Sequence, residues 1–438
     1  MLKKYIKEAL IKCVPFMVRQ ALHERNQKVT VRPELVEGLI QHILNGFPLF
    51  ICTAAILVLS GCKGAAVPKP QLATVPEKAQ TRSTPPVMQV QKSAIGTQLG
   101  GVRQGVALNL RNSVSTIAGT VGTAGAADGF ASQAEFDSPK GITTDGINLY
   151  LADSNNHTIR KIDIATGMVT TLAGLAGKKG SNDGKGAVAR FNRPFGITTD
   201  GNNLYVTDSN NHTIRQIDLA SGAVTTLAGA VGEVGYIDAV GRRARFFIPE
   251  GITTDDSYLY VSDTHNHSVR KISLESRVVS TIAGLSGAPG FFDDVGSKAR
   301  FSYPKGITTD GRNLYVVDFG NHQIRKISIR SGAVNTLSGT VASEGSSAEQ
   351  VVTAQFNYPS GIATDGRNLY VADTFNKTIR KIVIASGAVT TIAGAEEKEG
   401  SVDGVGAEAR FKDPVGITTD GSSIFVTDST DHTVRKIH

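Results

Sequence analysis

Six aspartates and six arginines recur in this chain at one spacing. Asp153, Asp208, Asp263, Asp318, Asp373 and Asp428 stand 55 residues apart, and Arg160, Arg215, Arg270, Arg325, Arg380 and Arg435 each follow seven residues later. A carboxylate and a guanidinium can form a charge-assisted pair with several hydrogen bonds at once, and losing one partner strands the other's charge. One active site does not need the same group six times at equal spacing, so these twelve residues read as architecture, one ion pair per unit. Histidine keeps the same period at His157, His212, His267, His322 and His432, with Lys377 in the remaining copy. One imidazole per unit is too widely spread to share a metal, and a turn-stabilising hydrogen bond suits each better. His265 and His267 form the only local pair, too few ligands to assign a transition metal. No metal site and no cofactor are expected.

Other chemical signals are weaker. Glycine is abundant, 47 of 438 residues, and the run G-L-A-G-K-K-G from Gly174 looks superficially like a phosphate loop. No helix follows it to supply the anion site. Neither G-x-S-x-G nor H-E-x-x-H occurs. Glycine-rich loops ending in Asp128, Asp183, Asp238, Asp293 and Asp403 could suggest calcium, but each offers one or two carboxylates where calcium takes six to eight oxygens. Turn capping fits these aspartates better. The fifth loop departs from the pattern, with Ala348 in that place.

The elements that must position these residues follow from the repeat. In the unit beginning at Pro194, runs of Val, Ile, Thr, Leu and Tyr predict strands a to d at 196–199, 204–207, 213–218 and 223–227. Asp200-Gly201 and Ser221-Gly222 supply tight turns between them. No apolar stripe of helical period interrupts the units. Gly141, Gly196, Gly251, Gly306, Gly361 and Gly416 carry the same period. Six units of four short strands predict an all-β, six-bladed β-propeller, whose sheets bury their faces against one another. The chain ends at His438 after a sixth strand c, and a lone strand-d sequence, Val114 to Gly119, precedes the first strand a. Pairing 113–118 with 432–437 closes the ring and hides two edges.

Strand alternation puts the d-to-a loops and b-to-c turns on one face, the longer and more variable one, where binding residues are expected. Symmetry breaks there. Tyr236, Arg242, Arg243, Phe291 and Phe292 stand where other copies are mostly small or polar, and aromatic and Arg residues are typical contact anchors. They define a candidate ligand surface on the loops 229–246 and 284–301. Phe319 and Phe375 occupy two b-to-c turns.

The block N-L-Y-V-x-D-x-x-N-H-x-I-R-K-I resembles the NHL-repeat family. Its copies here read Asn156-His157, Asn211-His212, Asn266-His267, Asn321-His322, Asn376-Lys377 and Asp431-His432, with Thr, Ser or Gln as the third letter. The resemblance covers 112–438. It implies a six-bladed propeller that binds protein, carbohydrate or nucleic acid, and, in a minority of relatives, a hydrolase or lyase with a metal in the central channel. That second activity needs convergent Asp, Glu, Asn or His on the inner strands. These read G-I-T-T or G-I-A-T and lack them.

Ahead of the repeats, residues 49–59 form a short apolar run followed by Ser60-Gly61-Cys62. Leu59 to Cys62 resembles a bacterial lipobox, with Cys62 as the lipidated residue after cleavage. The run is too short to span a bilayer comfortably. Residues 1–48, with Lys3, Lys4, Lys7 and Lys12, exceed an ordinary leader, so translation starts further in or the segment is a fusion. Residues 1–62 are read as leader and 63–105, rich in Pro, Gln, Thr and Ser, as a disordered tether, with 106–438 as the propeller. Cys13 and Cys52 precede the cleavage point, so no disulfide is expected. The formal charge is +7, but residues 1–111 hold 15 Lys or Arg against 5 Asp or Glu, and the rest 31 against 34. The propeller thus has no general basic character for nucleic acid. The expectation is an exported, membrane-anchored, monomeric envelope protein that binds a protein or glycan. A channel-centred metal-dependent enzyme and a purely structural scaffold are the alternatives.

Overall fold

In the computed structural model, residues 107–340 and 354–438 are described. They form six antiparallel sheets. Blade 2 shows the unit: strands a to d are Pro194–Thr199, Asn203–Asp208, Thr213–Asp218 and Ala223–Ala228, in spatial order. The predicted order holds, but strand a starts two residues earlier than its glycine. A register shift between Pro194 and Ile197 lets the strand continue through that glycine.

Blade 6 is assembled from both ends of the repeat region. Pro414–Thr419, Ile424–Asp428 and Thr433–Ile437 supply strands a to c, and Ser113–Ala118 supplies strand d. Val114 faces Ile437 and Thr116 faces Arg435 in the ladder. The backbone N–H groups of Arg111 and Ser113 both donate to the His438 carbonyl at 3.1 Å. The expected closure is therefore present, with the sixth ring position filled.

The core lies between blades. Tyr150, Ala152 and Ile159 of blade 1 pack with Ile197, Val206 and Val224 of blade 2. Ala118, Phe425 and Val434 of blade 6 pack with Ile142, Leu149 and Val169 of blade 1. Tyr150 and Leu149 alternate faces along one strand, so each sheet feeds two interfaces. The periodic glycine of strand a is what lets adjacent inner strands approach. A Cβ on Gly141 would collide with the Phe195 carbonyl, one on Gly251 with the Lys305 carbonyl, and one on Gly416 with the Lys140 carbonyl, which closes the circle.

Three sheets gain a fifth strand that was not expected. Gly129–Phe130, Gly184–Lys185 and Gly404–Val405, each from the loop entering a blade, pair with the outer strand of blades 1, 2 and 6. The d-to-a loops thus leave the outer strand of one blade and run past the outer edge of the next before turning in to its inner strand. This covers the backbone edge of strand d.

Candidate functional site

The repeated ion pair fixes these loops. A register shift precedes the arginine in every c–d pairing, such as that between Val269 and Arg270. Such an irregularity re-aims a side chain. In blade 3 the Arg270 Nη1 donates to Asp263 at 2.7 Å and to the Arg245 carbonyl at 2.9 Å. Its Nη2 donates to Asp238 at 2.5 Å and to the Ile237 carbonyl at 3.1 Å. The guanidinium carbon sits 5.0 Å from the Phe246 ring centre. Blades 1, 2 and 4 repeat the arrangement, with Arg160 on Asp153 and Asp128, Arg215 on Asp208 and Asp183, and Arg325 on Asp318 and Asp293. Arg380 pairs with Asp373 at 3.0 Å, while the Ala348 position lies outside the described residues. In blade 6, Arg435 holds Asp403 at 2.7 Å and lies 3.8 Å from Asp428.

The loop aspartates are therefore not the turn caps expected from sequence. Each is a second carboxylate for a buried arginine and also accepts from strand d, as Asp238 does from the Thr281 N–H at 2.9 Å. The inner aspartates are buried, and burial pushes the Asp263 carboxyl up to about 6 against the opposing pull of Arg270 and the Asn266 amide. It is ionised at neutral pH, held by three donors, Arg270, Asn266 and the Phe247 N–H.

Because the backbone is held at Ile237 and Phe292, the side chains there and next to them project outward. Tyr236 is 63% exposed and Phe292 61%. Phe291 and Phe292 stack with ring centres 5.3 Å apart at 23°. Exposed Val234, Ile237 and Val295 extend the apolar surface. Arg242 turns back to Asp183 on the preceding loop. The Arg243 side chain is exposed and makes no hydrogen bond or ion pair with the described residues. So the five named residues lie on two successive d-to-a loops, at the rim of blades 3 and 4.

Nearer the axis, the repeated histidines bridge blades. Each adopts the left-handed conformation that ends its b-to-c turn, as His212 does at φ 58°. Its Nδ1 accepts a backbone N–H from the next blade: Arg193 to His157, Ile248 to His212, Tyr303 to His267, Tyr358 to His322 and Ser138 to His432, all at 3.1–3.2 Å. His265 lies beside Phe247 and Tyr303, with ring centres 5.0 and 5.4 Å away. Phe319 and Phe375 flank Tyr358, each 5.0 Å from it. An open polar cleft of about 460 Å³ lies between blades 1 and 2, lined by Asp137, Asn155, His157, Lys179, Asn192 and Arg193 among others.

Sequence reading missed the channel mouth. The residues just before the ring glycines are Lys140, Phe195, Glu250, Lys305, Ser360 and Val415; Lys140, Phe195, Lys305 and Val415 lie on inner strands, and Glu250 and Ser360 stand two residues ahead of theirs. The inner strands carry no Asp, Glu, Asn or His, as expected, but starting strand a at the glycine left out Lys140 and Lys305. Lys140 Nζ lies 3.7 Å from Asp413, and Lys305 Nζ 3.6 Å from Glu250. Lys305 Nζ also sits 3.7 Å from the Phe319 ring centre. The recurrent proline two residues before each glycine was the available signal that the strand begins there. Among the described residues, no group of three His, Cys, Asp or Glu side chains is placed to hold a metal ion.

The repeated Asp, Asn, His and Arg now have one shared geometry, and residues 191–217 and 301–327 match the NHL repeat model. This chain is an NHL-repeat propeller. NHL repeat-containing protein 2 of Bos taurus is 29% identical over 315 residues, 64% of this chain and 43% of that protein. The NHL propeller thus matches less than half the length of that relative. Two structures from Bacteroides thetaiotaomicron share the fold. One is a structural genomics protein of unknown function, with TM-score 0.57 and 23% identity over 74% of this chain and 75% of that one. The other is an auxiliary nutrient binding protein, with TM-score 0.56 and 18% identity over 74% and 76%.

The NHL histidines carry a pH prediction. Burial, then the nearby His265, lowers the His212 pKa below the ordinary imidazole range. Its Nδ1 can accept the Ile248 N–H only while unprotonated. A lowered native pKa makes this contribution complete above the unfolded value of about 6.5 and lost as pH falls below it. Asn tolerates the left-handed backbone at position 212. The stability lost on His212→Asn, measured by urea unfolding, is expected to be larger at pH 7.5 than at pH 5. The Asp ring titrates in both proteins and cancels in the difference. A loss independent of pH would contradict the acceptor role.

Proposed function

We propose that this NHL propeller is a binding module of the bacterial cell envelope. It engages a protein or carbohydrate partner through its loop-rich face, with the rim of blades 3 and 4 as the anchor. The observation that carries this reading is the pair Phe291 and Phe292, stacked, exposed and mounted on a backbone tied to buried Arg325. Rings presented on a rigid support lose little conformational freedom on binding, which is where aromatic anchors gain their affinity. Tyr236 and Arg243 would contact the same partner from the neighbouring loop.

Export and anchoring through Cys62 rest on the lipobox resemblance, in a segment outside the described residues. A binder is favoured over the channel-centred hydrolase or lyase because the positions just before the ring glycines present one carboxylate, Glu250, among Lys, Phe, Ser and Val. The auxiliary nutrient binding protein shares the fold, and nutrient binding fits a binding role for this chain.

The test uses the full-length protein as bait on envelope extract, followed by titration with the purified partner. Arg243→Ala combined with Phe292→Ala is expected to weaken that affinity about 30-fold or more, on the scale of hot-spot truncations, with the melting temperature retained. Unchanged affinity would remove the rim from the binding site.

A further inference from the structure

Two opposed lysines at the channel mouth keep donors that the protein does not use. Lys140 lies on the inner strand of blade 1 and Lys305 on that of blade 4, three places away around a ring of six. Their side chains are only 21% and 20% exposed. Each ammonium has a carboxylate neighbour, Asp413 or Glu250, at 3.7 and 3.6 Å. These separations exceed hydrogen-bonding distance, so the N–H donors remain available. The Glu250 Oε2 atom is sealed from solvent, faces the Lys305 ammonium at 3.6 Å and accepts no hydrogen bond among the described residues. A buried acceptor left unbonded is costly, and such an atom in a native fold calls for a missing partner. Phe195 and Phe319 stand beside Lys305, 5.9 and 3.7 Å from its Nζ to their ring centres, and form an apolar wall.

The mouth therefore offers two cationic donors, a carboxylate with an oxygen that accepts no hydrogen bond and an aromatic side. We propose that the channel mouth binds a small organic anion that also carries a hydrogen-bond donor, a hydroxy acid or amino acid, its carboxylate taken by Lys140 and Lys305 and its hydroxyl or ammonium given to Glu250. The electrostatics agree. Burial lowers the Lys140 pKa, Asp413 and Glu250 oppose this, and Lys305 and Arg193 add to it. An anion between the two lysines would offset both the desolvation and their mutual repulsion.

This site is separate from the rim and stands or falls independently of the proposed partner surface. Full-length protein is titrated calorimetrically with glucuronate, glycine, inorganic phosphate and glucose. Glucuronate or glycine is expected to bind at least tenfold more tightly than glucose. Lys140→Met and Lys305→Met should each weaken that binding about tenfold or more, as loss of a charged hydrogen bond does. Glu250→Gln should weaken it less than either lysine change, because an amide oxygen still accepts. Circular dichroism and melting temperature confirm that each variant is folded. Phosphate binding as tight as glucuronate, lost in the same variants, would support an anion site and identify its ligand as phosphate-bearing. No binding at millimolar concentration, or binding retained in both folded lysine variants, would overturn the proposal. Rim variants such as Phe292→Ala are expected to leave anion affinity unchanged, which keeps a failure here distinct from a failure at the rim.

Discussion

Deletion of residues 107–118 is expected to abolish cooperative thermal unfolding of the propeller. This segment supplies the fourth strand of blade 6, and no other strand of the described residues occupies that position. Its removal strips two interfaces at once. Val114 is buried in the cluster between blades 5 and 6, and Ala118 in the cluster between blades 6 and 1. It also removes the Thr116 N–H and hydroxyl that Asp403 accepts at 3.0 and 3.1 Å. Burial of a valine contributes about 1.5–3 kcal/mol, and each lost ladder hydrogen bond about 0.5–1.5 kcal/mol. Together they approach the whole stability of a typical domain, about 5–15 kcal/mol. Thr433–Ile437 would become a bare edge strand, open to pairing with other chains. Circular dichroism melts and size-exclusion chromatography on the full chain and the deletion would show it. A sharp transition within a few degrees of the parent would mean that the ring closes without its N-terminal strand.

Asp263→Asn is expected to cost about 3–5 kcal/mol, and Asp238→Asn about 1 kcal/mol or less, although both contact Arg270. The difference follows from burial. Asp263 is sealed from solvent, and its loss leaves the buried Arg270 with only the half-exposed Asp238 to oppose its charge. Asp238 has a side chain 45% exposed, where water replaces it and screens what it contributed. The Phe247 N–H and Asn266 amide that point at the Asp263 carboxylate would also face an amide in its place. Urea unfolding of both variants measures the contrast. Equal losses would show that the two carboxylates share the charge evenly. The rim variant has a second expected effect: the amide introduced by Asp238→Asn keeps one acceptor oxygen and cannot accept from both Arg270 and the Thr281 N–H, so the loop carrying Tyr236 loosens.

Different parts of the molecule were legible to different degrees. The Asp–Arg pairing followed from spacing, because the b-to-c turn sets Asp263 opposite Ser268, and Arg270, two residues further along strand c, returns to the same face of the sheet. The role of Asp128 and its counterparts did not. Each lies 32 residues from its arginine in sequence, and only the loop's passage to the outer edge brings them together. The histidines were placed correctly in turn-stabilising roles, yet their acceptors' donors belong to the next blade, 36 residues on. The candidate rim residues were found because they break the repeat. The charged channel mouth was not, since Lys140, Glu250 and Lys305 look like ordinary surface residues next to a proline.

The sequence by itself determined the number of blades, the strand order and the closure of the ring. A 55-residue period repeats every local choice six times, and local propensity with turn chemistry is short-range information. The tertiary structure alone decided which side chains meet at the axis and rim. Those meetings join residues from different blades, and their chemistry depends on burial and on distances that no spacing along the chain encodes.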